Sequence, residues 1–166
     1  MNIRLRALEP EDLDMLYRIE NDQTLWDVGT TSVPYSRYIL YNYIANASGD
    51  IYADHQVRLM VENDKGQCVG ITDLTNFDPR NLRAELGIVV IAEHRRQGYA
   101  SAILREITCY ALHVLHLHQL YVVIDQHNEP SMELFRHSGW LNSATLADWL
   151  FDGSQYHDAV VYQKIL

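Results

Sequence analysis

Residues 82–101 read LRAELGIVVIAEHRRQGYAS, an apolar run that ends in a basic loop and then enters a helical pattern. The near-continuous apolar character of residues 86–91 predicts a central strand covered on both faces. In the loop, Gly98 lets the backbone approach a ligand closely, and Arg95 and Arg96 add positive charge. Because free N–H groups at a helix start attract anions, the stretch predicts a phosphate-binding loop; the alternative is an ordinary solvated connection.

The composition is that of a soluble globular protein. The chain has 166 residues, of which 48% are hydrophobic and 21% charged, and this length suits one domain. No apolar run approaches the roughly 20 residues of a membrane helix, and the N-terminus lacks the apolar segment of a signal peptide. Two cysteines, Cys68 and Cys109, are too few for a disulfide framework. We therefore expect a cytoplasmic protein without a membrane partner.

The formal net charge of -9 disfavours general binding to nucleic acid. Acidic residues concentrate early in the chain, at Glu9, Glu11, Asp12, Asp14, Glu20, Asp22 and Asp27. Such a run is most often a solvated helix face whose acids favour the helix N-terminus. The functional alternative is an acidic rim that attracts a cationic substrate.

Periodicity and turn signals predict the element order β-α-α-β-β-β-α-β-α-β-β. Strands are expected over residues 2–7, 57–62, 68–74, 82–91, 120–125, 145–151 and 156–165. Helices are expected over residues 10–19, 36–46, 98–117 and between the cap Asn128 and Gly139. This order predicts an α/β fold in which a mixed sheet carries helices on both faces. No linker or repeat divides the chain, so residues 1–166 are expected to form a single domain.

The loop motif Arg95-x-x-Gly98-x-Ala100 resembles the Arg/Gln-x-x-Gly-x-Gly/Ala signature of the GNAT superfamily of N-acetyltransferases. The predicted element order is also similar to that of the family. Residues 83–90 resemble its fourth strand, and residues 128–140 its Asn-x-x-Ala/Ser…Gly-Phe segment. Residues 149–158 resemble the closing hairpin of bacterial spermidine acetyltransferases. The resemblance implies a GNAT-like fold with acetyl-CoA as co-substrate.

The resemblance also implies a cofactor site along the fourth strand and the loop. Backbone N–H groups of the loop would cradle the pyrophosphate, and the pantetheine arm would pair with the main chain of the strand. A main-chain N–H near Val89 would polarise the thioester carbonyl. The implied cofactor-binding residues are Ile88, Val89, Val90, Arg95, Arg96, Gln97, Gly98, Tyr99, Ala100, Ser101, Asn128 and Phe135.

The reaction implied by the resemblance is direct attack of a free amine on the thioester in a ternary complex. Glu85 is the candidate general base, since spermidine acetyltransferases carry a glutamate at the matching place. The structural alternative is a strand carboxylate that pairs with Arg58 or Arg83 or faces solvent.

The expected general acid is missing from the chain. Many relatives carry a tyrosine seven residues after the asparagine, but this chain has Phe135, which has no proton to donate. Ser131 is the catalytic candidate in its place, because some ribosomal-protein N-terminal acetyltransferases carry a serine there. The alternative role for Ser131 is hydrogen bonding in the first turn of its own helix.

The acceptor site is predicted from the family's layout and from residue chemistry. Aromatic faces and acids hold amines by cation–π and charge contacts. The candidate substrate-binding residues are Trp26, Asp27, Tyr35 and Asp73.

Three histidines near the end of the long predicted helix raise the question of a metal site. His113 and His116 are expected to share a helix face, whereas His118 is expected beyond the helix. Histidine is common at a helix C-terminus, and no carboxylate or cysteine completes a ligand set. We predict no metal site.

The leading functional prediction is an acetyl-CoA-dependent N-acetyltransferase acting on a primary amine, either a polyamine or a similar small cationic amine. Acetylation of a protein N-terminus is an alternative, suggested by Ser131. A non-catalytic acyl-CoA-binding sensor is another, motivated by Phe135. The sequence leaves open the amine and the oligomeric state, a homo-oligomer included.

Overall fold

The computed structural model describes residues 1–28 and 33–166, with the side chains of residues 26–28 outside the description. The strands of this part of the chain are β1 Ile3–Ala7, β2 Val57–Asn63, β3 Cys68–Asp78, β4 Arg83–Val90, β5 Gln119–Asp125, β6 Leu141–Phe151 and β7 Tyr156–Ile165. The α-helices are α1 Leu13–Glu20, α2 Arg37–Asn46, α3 Ile51–Asp54, α4 Tyr99–His113 and α5 Glu129–His137. Single 3-10 segments lie at Pro10–Asp12, Gln23–Val28 and Ala92–His94.

The described strands form one mixed sheet in the order β1-β2-β3-β4-β5-β7-β6. Strands β4 and β5 are parallel and are joined through α4, whereas the other neighbours pair antiparallel. Helix α4 packs on one face, where Tyr99 and Ile103 contact Val61 and Val69. On the opposite face, Ile19 of α1 packs in a cluster of buried residues from the sheet. The predicted α/β layering is therefore confirmed.

Several predicted boundaries were wrong. The short helix α3 was not predicted, β3 continues past residue 74 to Asp78, and β6 begins before residue 145 at Leu141. Helix α4 ends at His113 rather than near residue 117, because His116 takes a left-handed φ of 54° and turns the chain. Residues 113 and 116 therefore do not share a helix face. No helix of the described residues is long and apolar enough to span a membrane.

A partly buried ion-pair network joins β1, β2 and the first 3-10 turn. Arg6 donates to both carboxylate oxygens of Asp12, at 2.6 and 2.7 Å, and through Nε to Glu62 at 2.5 Å. Asp12 also accepts from the backbone N–H of Glu9 at 2.9 Å. The hydrogen bonds from Arg6 lower the pKa of Asp12 despite the opposing effect of burial. Much of the early acidic run is therefore structural rather than a free rim.

The lowered pKa of Asp12 predicts a pH-dependent contribution to stability. Its stabilising effect is present above the unfolded value of about 4 and is lost as the pH falls through the lower folded value. We expect Asp12→Asn to reduce the free energy of unfolding by about 1–3 kcal/mol at pH 7, with the difference shrinking below about pH 4. Urea denaturation of both proteins across this pH range measures the effect.

Asp14→Asn is the matched control, because the Asp14 side chain is 84% exposed in its pair with Arg37. An exposed pair contributes less than about 1 kcal/mol. Equal losses in the Asp12 and Asp14 variants, or a loss in the Asp12 variant that does not change with pH, would contradict the prediction.

Candidate active site

The sheet opens between its two parallel strands. Strands β4 and β5 pair through three rungs, Arg83 with Gln119, Ala84 with Leu120 and Glu85 with Tyr121. Beyond the last rung β4 stays paired with β3 up to Val90, and β5 stays paired with β7 along its whole length. In the described chain no further pair joins β4 to β5. The facing edges from residue 86 on are therefore free to pair with an extended ligand.

The predicted phosphate loop lies where β4 leads into α4. Arg96 and Gly98 both have left-handed backbones, with φ of 59° and 87°. Gly98 is the N-cap of α4 and offers no side chain to the first turn, so the N–H groups of Tyr99, Ala100 and Ser101 face outward. Outward N–H groups at the positive end of a 15-residue helix form a site for an anion.

The side chains of the loop serve different purposes. The Arg95 Nε donates to the Val90 carbonyl at 3.0 Å, and the Gln97 amide donates to the Glu93 carbonyl at 2.9 Å. Both contacts fix the path of the loop. Arg96 is exposed and would contribute positive charge to the candidate anion site. The Tyr99 ring is buried in the core, so this residue offers the site its backbone N–H.

Glu85 lies at the inner end of the opening, in the last rung that joins β4 to β5. Its carboxylate accepts a hydrogen bond from the Asn76 amide at 2.7 Å. The ion pairs weighed against a catalytic role are made by other carboxylates: Arg58 binds Asp73, and Arg83 binds Asp78 at 3.1 Å.

Asp73 lies beside Gly87 and is held by an arginine. Arg58 donates to it through Nε at 2.6 Å and reaches Glu20 of α1 at 2.5 Å. The guanidinium also lies over the ring of Tyr43, with 5.4 Å to the ring centre. A Cβ at Gly87 would lie 3.6 Å from the Asp73 carboxylate, so the glycine leaves open space next to this group. Two carboxylates thus share one guanidinium on the side of the sheet that α1 covers.

The segment after β5 carries the cofactor candidates of the second motif. Asn128 is the N-cap of α5, and its side chain accepts from the backbone N–H of Ser131 at 3.2 Å. Ser131 is half-buried in the first turn. Phe135 is 3% exposed and its ring packs edge-on against Trp140, with centroids 4.9 Å apart. Phe135 is therefore part of the core.

The acceptor candidates of the first loop are only partly described. The side chains of Trp26 and Asp27 lie outside the described residues. Tyr35 is half-buried and packs on the cluster between α1 and α2, and its backbone N–H donates to the Asn21 side chain at 2.8 Å. Among the predicted acceptor residues, the structure places Asp73 nearest to β4.

Comparison with known proteins relates the chain to N-acetyltransferases. Residues 2–140 match the family model of the acetyltransferase (GNAT) domain. Spermidine N(1)-acetyltransferase of Escherichia coli is 26% identical, over 96% of this chain and 83% of that protein. The putative ribosomal N-acetyltransferase YdaF of Bacillus subtilis is 27% identical, over 99% of this chain and 91% of that protein. The crystal structure of spermidine N-acetyltransferase from Vibrio cholerae in complex with CoA and spermine has a TM-score of 0.87 at 22% identity, covering 98% of this chain and 95% of that one.

The open edge of β4 beside the loop at the start of α4 is compatible with a transferase that binds acyl-CoA. The chain belongs to the GNAT acetyltransferase family. It is accordingly an acetyl-CoA-dependent N-acetyltransferase.

Three residues near the site were not singled out as functional from the sequence: Asn76, Tyr121 and Arg58. Asn76 and Tyr121 come to Glu85 from different strands, and Arg58 joins α1 to β3. Only the register between strands brings them together, so no local motif marks them. The one sequence signal is Asn76 itself, because asparagine is uncommon within strands and can mark a bulge.

The loop geometry predicts that Gly98→Ala weakens acetyl-CoA binding. An alanine is strained at φ 87°, so the backbone of the loop would have to shift at the start of α4, where the first-turn N–H groups lie. We expect affinity to fall at least about tenfold by isothermal titration calorimetry, because each 1.4 kcal/mol changes a dissociation constant by that factor.

Gly66→Ala is the matched control, since Gly66 has φ 72° with nothing within 4 Å and lies in the β2–β3 turn. Both variants carry the same kind of backbone strain, so both should lose about 1 kcal/mol of stability. Only Gly98→Ala should lose affinity, and equal affinity in the two variants would refute the assignment of the loop.

Proposed function

We propose that this enzyme transfers the acetyl group of acetyl-CoA to a primary amine of a polyamine, of which spermidine is the leading candidate, by direct attack in a ternary complex. The observation that carries the proposal is the opening between β4 and β5, with the phosphate loop at one end and Glu85 at the other. Similarity to spermidine acetyltransferases over nearly the whole chain supports the choice of amine.

The free edge of β4 suits the pantetheine arm. Residues 86–90 span roughly 17 Å at about 3.3 Å per residue, and the two amides of pantetheine can pair with a strand edge as a short peptide does. With the pyrophosphate on the loop, the thioester lies near Val89, where a neighbouring main-chain N–H on the open edge of β4 would polarise its carbonyl. Asn128 and Ser131 would line the side of the cofactor that faces α5.

Proton transfer to Glu85 requires water. Val89 and Glu85 are four positions apart on one strand, roughly 13 Å, which exceeds the reach of a direct hydrogen bond. The acceptor ammonium would therefore lose one proton through ordered water to the carboxylate. The neutral amine would then attack the carbonyl carbon and release its second proton to water as the amide forms. The carbon–sulfur bond then breaks, and CoA leaves as a thiolate.

Charge on the α1 side of the sheet favours a cationic acceptor. Asp73 and Glu20 place two carboxylates on this face, both joined to Arg58, next to the ring of Tyr43. A second ammonium of a polyamine can bind beside this group while the reacting amine stays neutral.

The deciding experiment measures CoA release from acetyl-CoA with spermidine, spermine, short diamines, aminoglycosides and N-terminal peptides. Acetylation of spermidine or spermine with saturation at low concentration supports the proposal. Turnover with peptides alone would replace it by N-terminal acetylation. Binding of acetyl-CoA without turnover of any amine would replace it by a sensor function.

A base at Glu85 predicts that Glu85→Gln lowers kcat by about a hundredfold or more, with little change in KM for the amine. A loss in KM alone would instead identify Glu85 as a binding group. Glu106→Gln on α4 is the control, because Glu106 pairs only with its neighbour Arg105 among the described residues and should retain full activity. Steady-state kinetics at saturating acetyl-CoA separate these outcomes.

We also propose that the chain forms a homo-oligomer. β6 is an 11-residue edge strand with nearly every residue exposed, and Trp149, Phe151 and Tyr156 at its hairpin end are each about 60% exposed. Long apolar edges of this kind are normally covered. The related Vibrio cholerae enzyme has been solved as a dodecamer. Sedimentation velocity of the wild type tests the assembly, and a monomer at micromolar concentration would refute it.

A further inference from the structure

A bulge in β3 turns one strained side chain towards Glu85. β3 pairs with β4 through Thr75 and Glu85, loses register, and resumes at Asp78 with Arg83. Asn76 lies in this bulge with a left-handed φ of 50°. Bulges next to active sites often re-aim a side chain, and a left-handed non-glycine residue persists only where its surroundings hold it.

Side chains from two strands lie next to the Glu85 carboxylate. The Asn76 amide donates to Glu85 Oε2 at 2.7 Å from β3. From β5, Tyr121 faces the same carboxylate across the last rung. Burial raises the pKa of Tyr121, and the negative charge of Glu85 raises it further. The Tyr121 hydroxyl therefore stays protonated and can act as a donor to Glu85.

The groups around Glu85 are neutral donors rather than cations. Arg83 is close enough to oppose the rise in the Tyr121 pKa, but its guanidinium pairs with Asp78 at 3.1 Å. Arg58 is occupied by Asp73 and Glu20. Hydrogen bonds from neutral donors fix the direction of the carboxylate, whereas a direct ion pair would make it a poor proton acceptor.

We propose that Asn76 and Tyr121 are positioning residues that hold the Glu85 carboxylate in place and directed into the opening between β4 and β5. This inference rests on the proposed function, in which Glu85 accepts the amine proton. It assigns a role to the β3 bulge, because a regular strand would place the Asn76 amide elsewhere.

Asn76→Asp is the sharpest test. Aspartate tolerates the left-handed backbone but replaces the amide donor with a second carboxylate next to Glu85. Two adjacent carboxylates disfavour each other's ionisation, so we expect the acidic limb of the kcat profile to move up by about one pH unit. Tyr121→Phe should lower kcat on the order of tenfold with an unchanged KM for the amine, because it removes a hydrogen bond to a charged group.

Asn81→Asp is the matched control. The Asn81 amide donates to Asp78 at 2.7 Å in the adjacent turn, so the change is chemically the same at the same distance from a carboxylate. It should leave the pH profile in place. Asn76→Gly removes the donor while relieving the backbone strain, so a loss of kcat on the order of tenfold in this stable variant cannot be ascribed to misfolding.

The outcomes separate this inference from the proposed function. If the wild type acetylates an amine but the Asn76 and Tyr121 variants behave like Asn81→Asp, the positioning role is wrong and the function stands. If the wild type acetylates no amine, the function fails, and NMR titration of the Glu85 carboxyl decides the positioning. A titration displaced to higher pH in Asn76→Asp supports it, and identical titrations overturn it.

Discussion

The separation of β4 from β5 after the Glu85–Tyr121 rung is the constraint on which the site depends. Parallel strands normally satisfy each other's backbone groups along their length, so a strand edge left open inside a sheet needs another partner. Here β4 is paired with β3 on its other edge, and β5 is paired with β7 on its other edge. Both strands are therefore held in place where they separate. The sheet thus leaves an opening that an extended ligand could occupy.

The same connection supplies the anion site. The chain leaves β4 at Val90, turns through left-handed residues at Arg96 and Gly98, and enters α4. Helix α4 is held against the sheet by buried Ile103 and Ile107, so its N-terminus cannot move away from the end of β4. One packed helix therefore fixes the proposed phosphate loop relative to the open edge of β4.

Local sequence predicted β4 and α4 because each element has a local signal. Continuous apolar residues mark β4 and helical periodicity marks α4, whereas the anion site in the Gly98 loop remains a prediction. The failures lie where the cause is tertiary. His116 ends a helix in a conformation that glycine usually marks, and Asn76 lets β3 continue through a bulge that alternation cannot reveal. The pairing of Arg58 with Asp73 likewise depends on the register between β2 and β3.

Phe135 bears on which of two proton transfers the protein must assist: protonation of the leaving sulfur or deprotonation of the amine. Its ring is enclosed with Trp140 and Tyr162, so neither its chemistry nor its position offers a proton to the leaving sulfur. A simple thiol has a pKa near 8.5, so a departing thiolate is a tolerable product near neutral pH even without an acid. An alkylammonium group has a pKa near 10, so at neutral pH nearly all of the acceptor is protonated and cannot attack. The proton transfer that most needs catalysis is therefore removal of a proton from the amine. The proposed base Glu85 and the groups around it would serve this step.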